Sequence, residues 1–285
     1  MRDYNEASRR VADFEALNHV RSQGIVRLGF KQRGDYSVIA EHFQEGCLKV
    51  RLPRTAPGEP PCATLINTSG GLCDGDSLLQ QVTWGRETRA VVTTQSAEKV
   101  YRALTSEARV ETRLNIGNGA DAEWLPQETI LFDQARLTRN TQVTMADDAS
   151  FLGVEAVVLG RAAMGEVMIQ GALLDTWRIW RGGRLVYADA LRMAGSIDDL
   201  MQRAAVGAGA RAMAVLIHVS DRAASLLARV REALGAALGM ASASAWGALL
   251  VTRLLARDGT TLRHDTALAL SALRGGRPLP RVWGC

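Results

Sequence analysis

The chain has 285 residues, of which 47% are hydrophobic, 22% are charged and 5% are aromatic, and its formal net charge is +4. This composition is typical of a folded globular protein and excludes an intrinsically disordered chain. A chain of this length buries enough apolar surface to fold without a disulfide or a structural metal.

Neither a secretory signal nor a membrane span is expected from the sequence. No segment reaches the roughly 18 apolar residues of a membrane span, and residues 1–20 mix both charge signs without an apolar core. The four cysteines form no CxxC pair. We therefore expect a cytoplasmic protein without structural disulfides. Residues 1–20 are expected to be a flexible N-terminal segment and residues 21–285 a single domain.

Most of the chain is predicted to form β-strands. Apolar residues that alternate with polar ones, or that form short β-branched runs, indicate strands. In chain order the predicted strands are residues 25–30, 48–52, 89–94, 109–116, 142–145, 165–170, 177–180 and 185–187. Within the fourth strand the alternation places four side chains on one face, namely Val110, Thr112, Leu114 and Ile116. Gly182 and Gly183 are predicted to form a hairpin turn.

Helical spacing of apolar residues is confined to the last third of the chain. We predict one helix from residue 221 to about residue 239, and a second from 264 to 274 that stops at a Gly-Gly pair. Between them, residues 245–256 are predicted to form a buried strand that ends at a turn at 258–259. The sequence therefore predicts a mainly β protein with about two α-helices in its C-terminal third.

The charge is unevenly distributed, because residues 1–150 carry a net charge of −2 and residues 151–285 carry +6. The arginines of the second half are scattered, without a basic run or interleaved aromatic residues, so nucleic-acid binding is not expected. Arg222, Arg229 and Arg231 lie on the first predicted helix. We predict that they contribute to a docking surface for a partner protein; the alternative is a core helix with solvated arginines.

Two motifs have the spacing of catalytic sequences but lack essential residues. Residues 70–77 match a phosphate-binding loop, except that Asp76 stands where the loop needs a lysine. Ser96 and Lys99 have the SxxK spacing of penicillin-binding serine enzymes, without the SDN and KTG elements. A hydrolase that uses Ser96 or Cys73 would also need a base that the sequence does not place nearby. We therefore expect no catalytic activity.

Several carboxylates lie in or beside apolar segments. Asp74 and Asp76 are expected to accept hydrogen bonds from backbone amides in a tight glycine-rich loop, or alternatively to form a divalent-metal site with Cys73. Glu123 and Glu128 flank an apolar pair and predict an acidic patch.

Glu155 stands inside an otherwise apolar strand. A buried glutamate is costly unless it is paired or coordinates a cation. Its predicted partner is either an arginine such as Arg161 or a passing cation.

Five segments, taken in order, resemble the urease accessory protein D family, which is called UreD, or UreH in some organisms. They are residues 67–76 (NTSGGLCDGD), 93–102 (TTQSAEKVYR), 123–132 (EWLPQETILF), 159–166 (LGRAAMGE) and 280–283 (PRVW). Each motif is short, but five in this order and spacing are specific. The resemblance implies a mainly β domain of strands stacked in a helical β-sheet arrangement, with a pair of helices.

The resemblance also implies a scaffold without catalytic activity. Proteins of this family join a helical accessory protein, UreF, and a GTPase, UreG, on apo-urease, and the assembly helps to insert nickel. No tightly bound cofactor, nucleic acid or membrane partner is expected, only transient Ni²⁺. The alternative is a metal-independent adaptor that only recruits the other accessory proteins.

A nickel route would use ligands that bind the ion weakly enough to release it, such as carboxylates with water. Motif position and expected burial select four candidates for this route, namely Asp76, Glu128, Glu155 and Glu166.

Overall fold

The computed structural model describes residues 21–56, 58–161 and 164–284. The predicted flexible segment at residues 1–20 lies outside the described residues. The described chain is mainly β, as predicted, and contains seventeen strands. In chain order they are β1 (Gln23–Arg33), β2 (Tyr36–Gly46), β3 (Leu48–Arg51), β4 (Cys62–Asn67), β5 (Ser77–Trp84), β6 (Arg89–Thr94), β7 (Glu98–Val100), β8 (Ala108–Ile116), β9 (Asp121–Leu125), β10 (Thr129–Leu131), β11 (Arg136–Met145), β12 (Ser150–Leu159), β13 (Gln170–Arg181), β14 (Arg184–Ser196), β15 (Ala212–Val219), β16 (Met240–Trp246) and β17 (Leu249–Ala256).

The strands form two sheets, because the chain alternates between them. Sheet A has the spatial order β14-β13-β11-β8-β5-β1-β2, and sheet B has the order β16-β17-β15-β12-β9-β6-β4-β3, with β10 also beside β12 and β7 beside β10. From β4 to β13 the long strands enter sheet B and sheet A in turn. Successive strands of the same sheet pair in parallel, as β5 does with β8 and β6 with β9. This coil confirms the predicted stack of strands in a helical β-sheet arrangement.

Strand β12 shows how the layers are built, since it is buried on both faces. Phe151, Val157 and Leu159 point into the core between the two sheets, while Leu152 and Val154 point into a second core against the helices. Successive side chains of a strand point to opposite faces. Glu155 has the parity of Phe151 and Val157, so it faces the space between the sheets.

Three α-helices and one 3₁₀ helix lie near the C-terminus of the described chain: α1 (Ile197–Gln202), α2 (Ala223–Leu234), α3 (Gly259–Leu273) and the 3₁₀ helix Arg281–Gly284. The helices α2 and α3 cover the outer face of sheet B and correspond to the two predicted helices, whereas α1 is not anticipated by the sequence. None of the helices in the described residues combines the length and the apolar character that a membrane crossing needs.

Both predicted helices have different boundaries in the structure. Helix α2 ends at Leu234, and the amides of Leu238 and Gly239 donate to the Asp265 carboxylate at 2.8 Å each. Helix α3 begins before residue 264, because the Asp258 carboxylate accepts the Thr261 amide at 2.8 Å and caps the helix. Residues 258–259 are therefore a helix start, and the predicted turn there is wrong.

Two predicted strands are also wrong. Residues 165–169 form a loop, and only Gln170 begins a strand. The strand predicted at 245–256 is divided, because Gly247 adopts a positive φ of 55° in a turn between β16 and β17. The hairpin predicted at Gly182 and Gly183 is confirmed, since it joins β13 to β14.

Candidate functional site

Six buried polar side chains share the inner face of sheet A. Four of them are aligned side by side on the neighbouring strands β5, β8, β11 and β13, namely Gln80, Thr112, Thr141 and Trp177. The other two, Arg139 and Asp175, are aligned with each other on β11 and β13, two residues before Thr141 and Trp177. Parallel strands keep aligned residues on the same face, so these side chains form a polar strip inside an otherwise apolar core.

Arg139 is the centre of this strip, and it connects the two sheets. Its guanidinium donates through Nε and Nη2 to the two carboxylate oxygens of Asp175, at 3.1 and 2.6 Å. Its Nη1 lies 2.6 Å from Oε1 of Glu155 and 2.9 Å from the hydroxyl of Thr129. Glu155 is on β12 and Thr129 on β10, so one arginine of sheet A binds two residues of sheet B.

One guanidinium serves two carboxylates in this cluster, which leaves an excess of negative charge inside the protein. Burial is the main influence on Glu155 and raises its pKa; Arg139 opposes this rise and Asp175 adds to it. Burial lowers the pKa of Arg139, but the two carboxylates outweigh it and raise that pKa above the ordinary value. Arg139 therefore stays charged, while Glu155 is the member of the cluster that can take up a proton.

Three cavities meet at these residues. A wide cavity of about 560 Å³ is lined by Glu155, Asp175 and Asp189, with walls that include Trp177 and Met193. A narrow cavity of about 50 Å³ has both apolar and polar lining residues, and the polar ones include Gln80, Glu98, Thr112, Arg139 and Glu155. A loop cavity of about 120 Å³ is lined by the glycine-rich loop and β7, including Asn67, Gly70, Gln80 and Glu98.

The cavities share lining residues, so they lie next to one another in a row. Glu155 lines both the wide and the narrow cavity, while Gln80 and Glu98 line both the narrow and the loop cavity. We call this row the interior passage. It runs from the glycine-rich loop, between the sheets, to the end of the fold where β14 and β16 are the sheet edges.

Glu98 is a second carboxylate of the passage with an unusual charge state. Burial raises its pKa to about 7, although Asn67 donates to both of its oxygens at 3.1 and 3.2 Å. Glu98 therefore exchanges between charged and neutral forms near neutral pH.

Glu98, Arg139, Asp175 and Asp189 are not among the site residues predicted from the sequence. A signal was present for Arg139, which takes an inward position in the alternation of Leu137, Thr141 and Val143.

Of the four predicted nickel-route carboxylates, only Glu155 lines the passage. Asp76 is buried in the glycine-rich loop, where it accepts the amides of Ser22 at 2.7 Å and Cys73 at 2.8 Å. Glu128 lies 3.5 Å from Arg263, and Glu166 pairs with Arg161 outside the passage. In the described residues no group of three or more histidine, cysteine or acidic side chains is arranged to hold a metal ion.

The partner of Glu155 is an arginine, but the arginine is Arg139 and not Arg161. Arg139 reaches Glu155 because β11 of sheet A lies over β12 of sheet B. Arg161 instead follows the end of β12 and pairs with Glu166.

The loop carboxylates act as predicted from their glycine-rich surroundings. Asp74 accepts the Thr105 amide at 2.9 Å and also binds the amide of Ser106. Burial alone would raise the pKa of Asp74, but these amides outweigh burial and lower the pKa to about 2.

Glu123 and Glu128 do not form the predicted acidic patch, because each is paired with arginine. Glu123 is 2% exposed and binds Arg274 at 2.8 Å and Arg277 at 2.5 Å. Both arginines follow α3, so Glu123 ties β9 to the C-terminal segment.

The three arginines of the predicted docking helix have different surroundings. All three are exposed, and no hydrogen bond from the side chain of Arg222 or Arg229 is seen among the described residues. Arg231 donates through Nε and Nη2 to the Ala243 carbonyl, at 3.1 and 2.9 Å, and so holds the edge strand β16.

A buried Ser–His pair lies apart from the motifs considered for hydrolysis. Ser220 and Nε2 of His218 are 2.8 Å apart, and burial lowers the pKa of His218 to about 4. Neither residue lines the interior passage. The pair joins the end of β15 to the start of α2.

Comparison with known proteins gives a consistent result. The model of the family described as UreD urease accessory protein matches residues 22–284. A urease accessory protein UreD of Rhizobium etli is 46% identical, covering 92% of this chain and 95% of its own length. Those of Agrobacterium fabrum and Xanthobacter autotrophicus are 45% and 44% identical, covering 94% and 92% of this chain and 93% and 90% of their own lengths. These relatives are named as accessory proteins and not as enzymes.

Proposed function

The chain belongs to the UreD family of urease accessory proteins, and on that premise we propose that it is a cytoplasmic maturation scaffold for urease. In this proposal it assembles with a UreF-like helical accessory protein and a UreG-like GTPase on apo-urease. It then assists insertion of nickel into the urease active site by letting the ion pass through its own interior.

The observation that supports this proposal is the interior passage. Its acidic groups are spaced along the row of cavities, with Glu98 toward the loop, Glu155 in the middle and Asp189 in the wide cavity. Ni²⁺ accepts carboxylate and water ligands. Separated carboxylates bind such an ion one or two at a time, which favours release over retention. The lining residues and nickel chemistry therefore fit a conduit better than a storage site.

The proposal is tested by neutralising two carboxylates of the passage with isosteric amides. Glu98→Gln with Glu155→Gln should lower the nickel content per urease active site, while pull-down of the accessory proteins and urease is retained. Glu111→Gln is the matched control, because Glu111 is an exposed residue of β8 paired with Arg113. Full nickel loading by the double variant would contradict the conduit and leave the metal-independent adaptor.

Arg222, which directly precedes α2, and Arg229 on α2 are proposed as part of the docking surface for the helical accessory protein. Charge reversal of Arg222 and Arg229 should weaken the pull-down and change its salt dependence, because complementary surface charge governs association. Arg231→Glu is less informative, since it also removes the hydrogen bonds to β16. Binding that is unchanged across salt concentrations would refute this surface.

A further inference from the structure

A fixed positive charge stands in the middle of the proposed cation route. Building on the proposed function, we propose that Arg139 is an internal competitor for the cation. Its guanidinium occupies the oxygen atoms of Glu155 and Asp175 that nickel would otherwise bind, and thereby keeps nickel from being trapped between the sheets.

The geometry places the guanidinium where a cation would bind. Four donor contacts converge on three neighbouring side chains, at 2.6 Å to Glu155, 2.6 and 3.1 Å to Asp175, and 2.9 Å to Thr129. Two carboxylates and a hydroxyl are an oxygen donor set of the kind that divalent cations accept. In the protein this set is filled by an organic cation that belongs to the chain itself.

The guanidinium also lies at the junction of two cavities. Glu155 lines both the wide and the narrow cavity, Asp175 lines the wide one, and Arg139 lines the narrow one. An ion that moves between these cavities must therefore pass the Arg139 cluster. The arginine is 5% exposed and is anchored from both sheets, so it cannot swing into solvent without breaking every one of these contacts.

The charges explain why a competitor is useful at this point. Without Arg139, two buried carboxylates would face each other with nothing between them, an arrangement that demands a cation. With Arg139, the guanidinium balances one of the two carboxylates, so only Glu155 is left to take up a proton or a cation. Because arginine does not lose its proton in proteins, this competition is present at any physiological pH.

A further observation indicates that the passage holds water. The indole N–H of Trp177, which lines the wide cavity, is buried and has no hydrogen-bond partner among the described residues. Buried polar groups are normally satisfied by protein or by water. Water at this group would replace a ligand that an ion gives up as it passes Arg139.

The test measures nickel binding to the full-length chain by equilibrium dialysis, before any urease is added. Arg139→Gln removes the competing charge and should tighten binding of one Ni²⁺ by about tenfold or more. Arg139→Lys keeps the charge but cannot span both carboxylates, so it should give a smaller gain. The triple variant Arg139→Gln, Glu155→Gln, Asp175→Asn removes the donor set and should show no gain.

Each outcome decides the inference. Wild-type nickel affinity in a folded Arg139→Gln chain would overturn it, and so would a gain that persists in the triple variant. If Arg139→Gln does not fold, the charge-conserving Arg139→Lys variant is used instead. A nickel affinity of Arg139→Lys equal to that of the wild type would then overturn the inference.

The proposed function is tested separately from this inference. Tighter nickel binding by Arg139→Gln with unchanged urease loading would support the competitor and refute the conduit. Unchanged nickel binding by Arg139→Gln, together with urease loading that still depends on Glu155, would refute the competitor and support the conduit.

Discussion

Replacing Glu123 by glutamine should detach the C-terminal segment from the sheet. Arg274 is 6% exposed, and its Nε lies 2.8 Å from the Glu123 carboxylate. At about 4 Å between charge centres and an effective dielectric constant of about 20, the attraction is about 4 kcal/mol. Glutamine can still accept one hydrogen bond, but it leaves the arginine charge buried and unpaired.

We expect the Glu123→Gln variant to lose about 3–5 kcal/mol of unfolding free energy, the usual cost of removing one partner of a buried ion pair. Arg277 adds little to this loss, because its side chain is 35% exposed. A loss of this size lowers the melting temperature of a domain this large by about 10 °C. Denaturant unfolding gives the free energy, and limited proteolysis shows whether the segment after α3 opens first.

Two control variants separate this ion pair from general charge effects. Glu128→Gln breaks a pair with Arg263 at 3.5 Å between partly exposed side chains, so it should cost less than about 1 kcal/mol. Combining Glu123→Gln with Arg274→Gln removes both charges and should recover part of the lost stability. A Glu123→Gln variant no less stable than Glu128→Gln would refute the reasoning.

The same structure makes three further predictions. Since burial raises the pKa of Glu98 to about 7, wild-type stability should fall as the pH rises from about 4.5 to about 7. Glu98→Gln should then be about 1–3 kcal/mol more stable than wild type at about pH 8 and equal to it near pH 4 by denaturant titration; a pH-independent difference would contradict this. Gly71→Ala should destabilise the chain by about 2 kcal/mol or more, because φ is 147° and the added Cβ would lie 2.4 Å from the Tyr101 ring; an unchanged melting temperature would exclude this contact. Burial raises the pKa of Cys62 to about 11, so iodoacetamide at about pH 8 should label it at least about tenfold more slowly in the folded chain than in urea, and equal rates would disprove its protection.

Local patterns in the sequence determined the elements that depend on neighbouring residues. The alternation in residues 109–116 predicts strand β8 and the inward face that carries Thr112, because side-chain direction in a strand follows from parity alone. The glycine-rich loop likewise predicts that Asp76 accepts a backbone amide, and the tight turn supplies the Cys73 amide. The amides that Asp74 accepts come from Thr105 and Ser106, which only the tertiary structure brings to the loop. The apolar residues on both sides of Glu155 likewise predict that this glutamate of β12 is buried.

The identity of each charged partner was decided by the tertiary structure. The sequence indicates that Glu155 needs compensation, but Arg139 supplies it only because the coiled chain brings β11 of one sheet over β12 of the other. Glu123 was predicted to form an acidic patch with Glu128, yet it is buried and paired with Arg274, which lies 151 residues later in the chain. Which groups meet across the core depends on how strands stack, and this is fixed by contacts between residues distant in sequence. The interior passage has the same origin, because its lining comes from strands of both sheets.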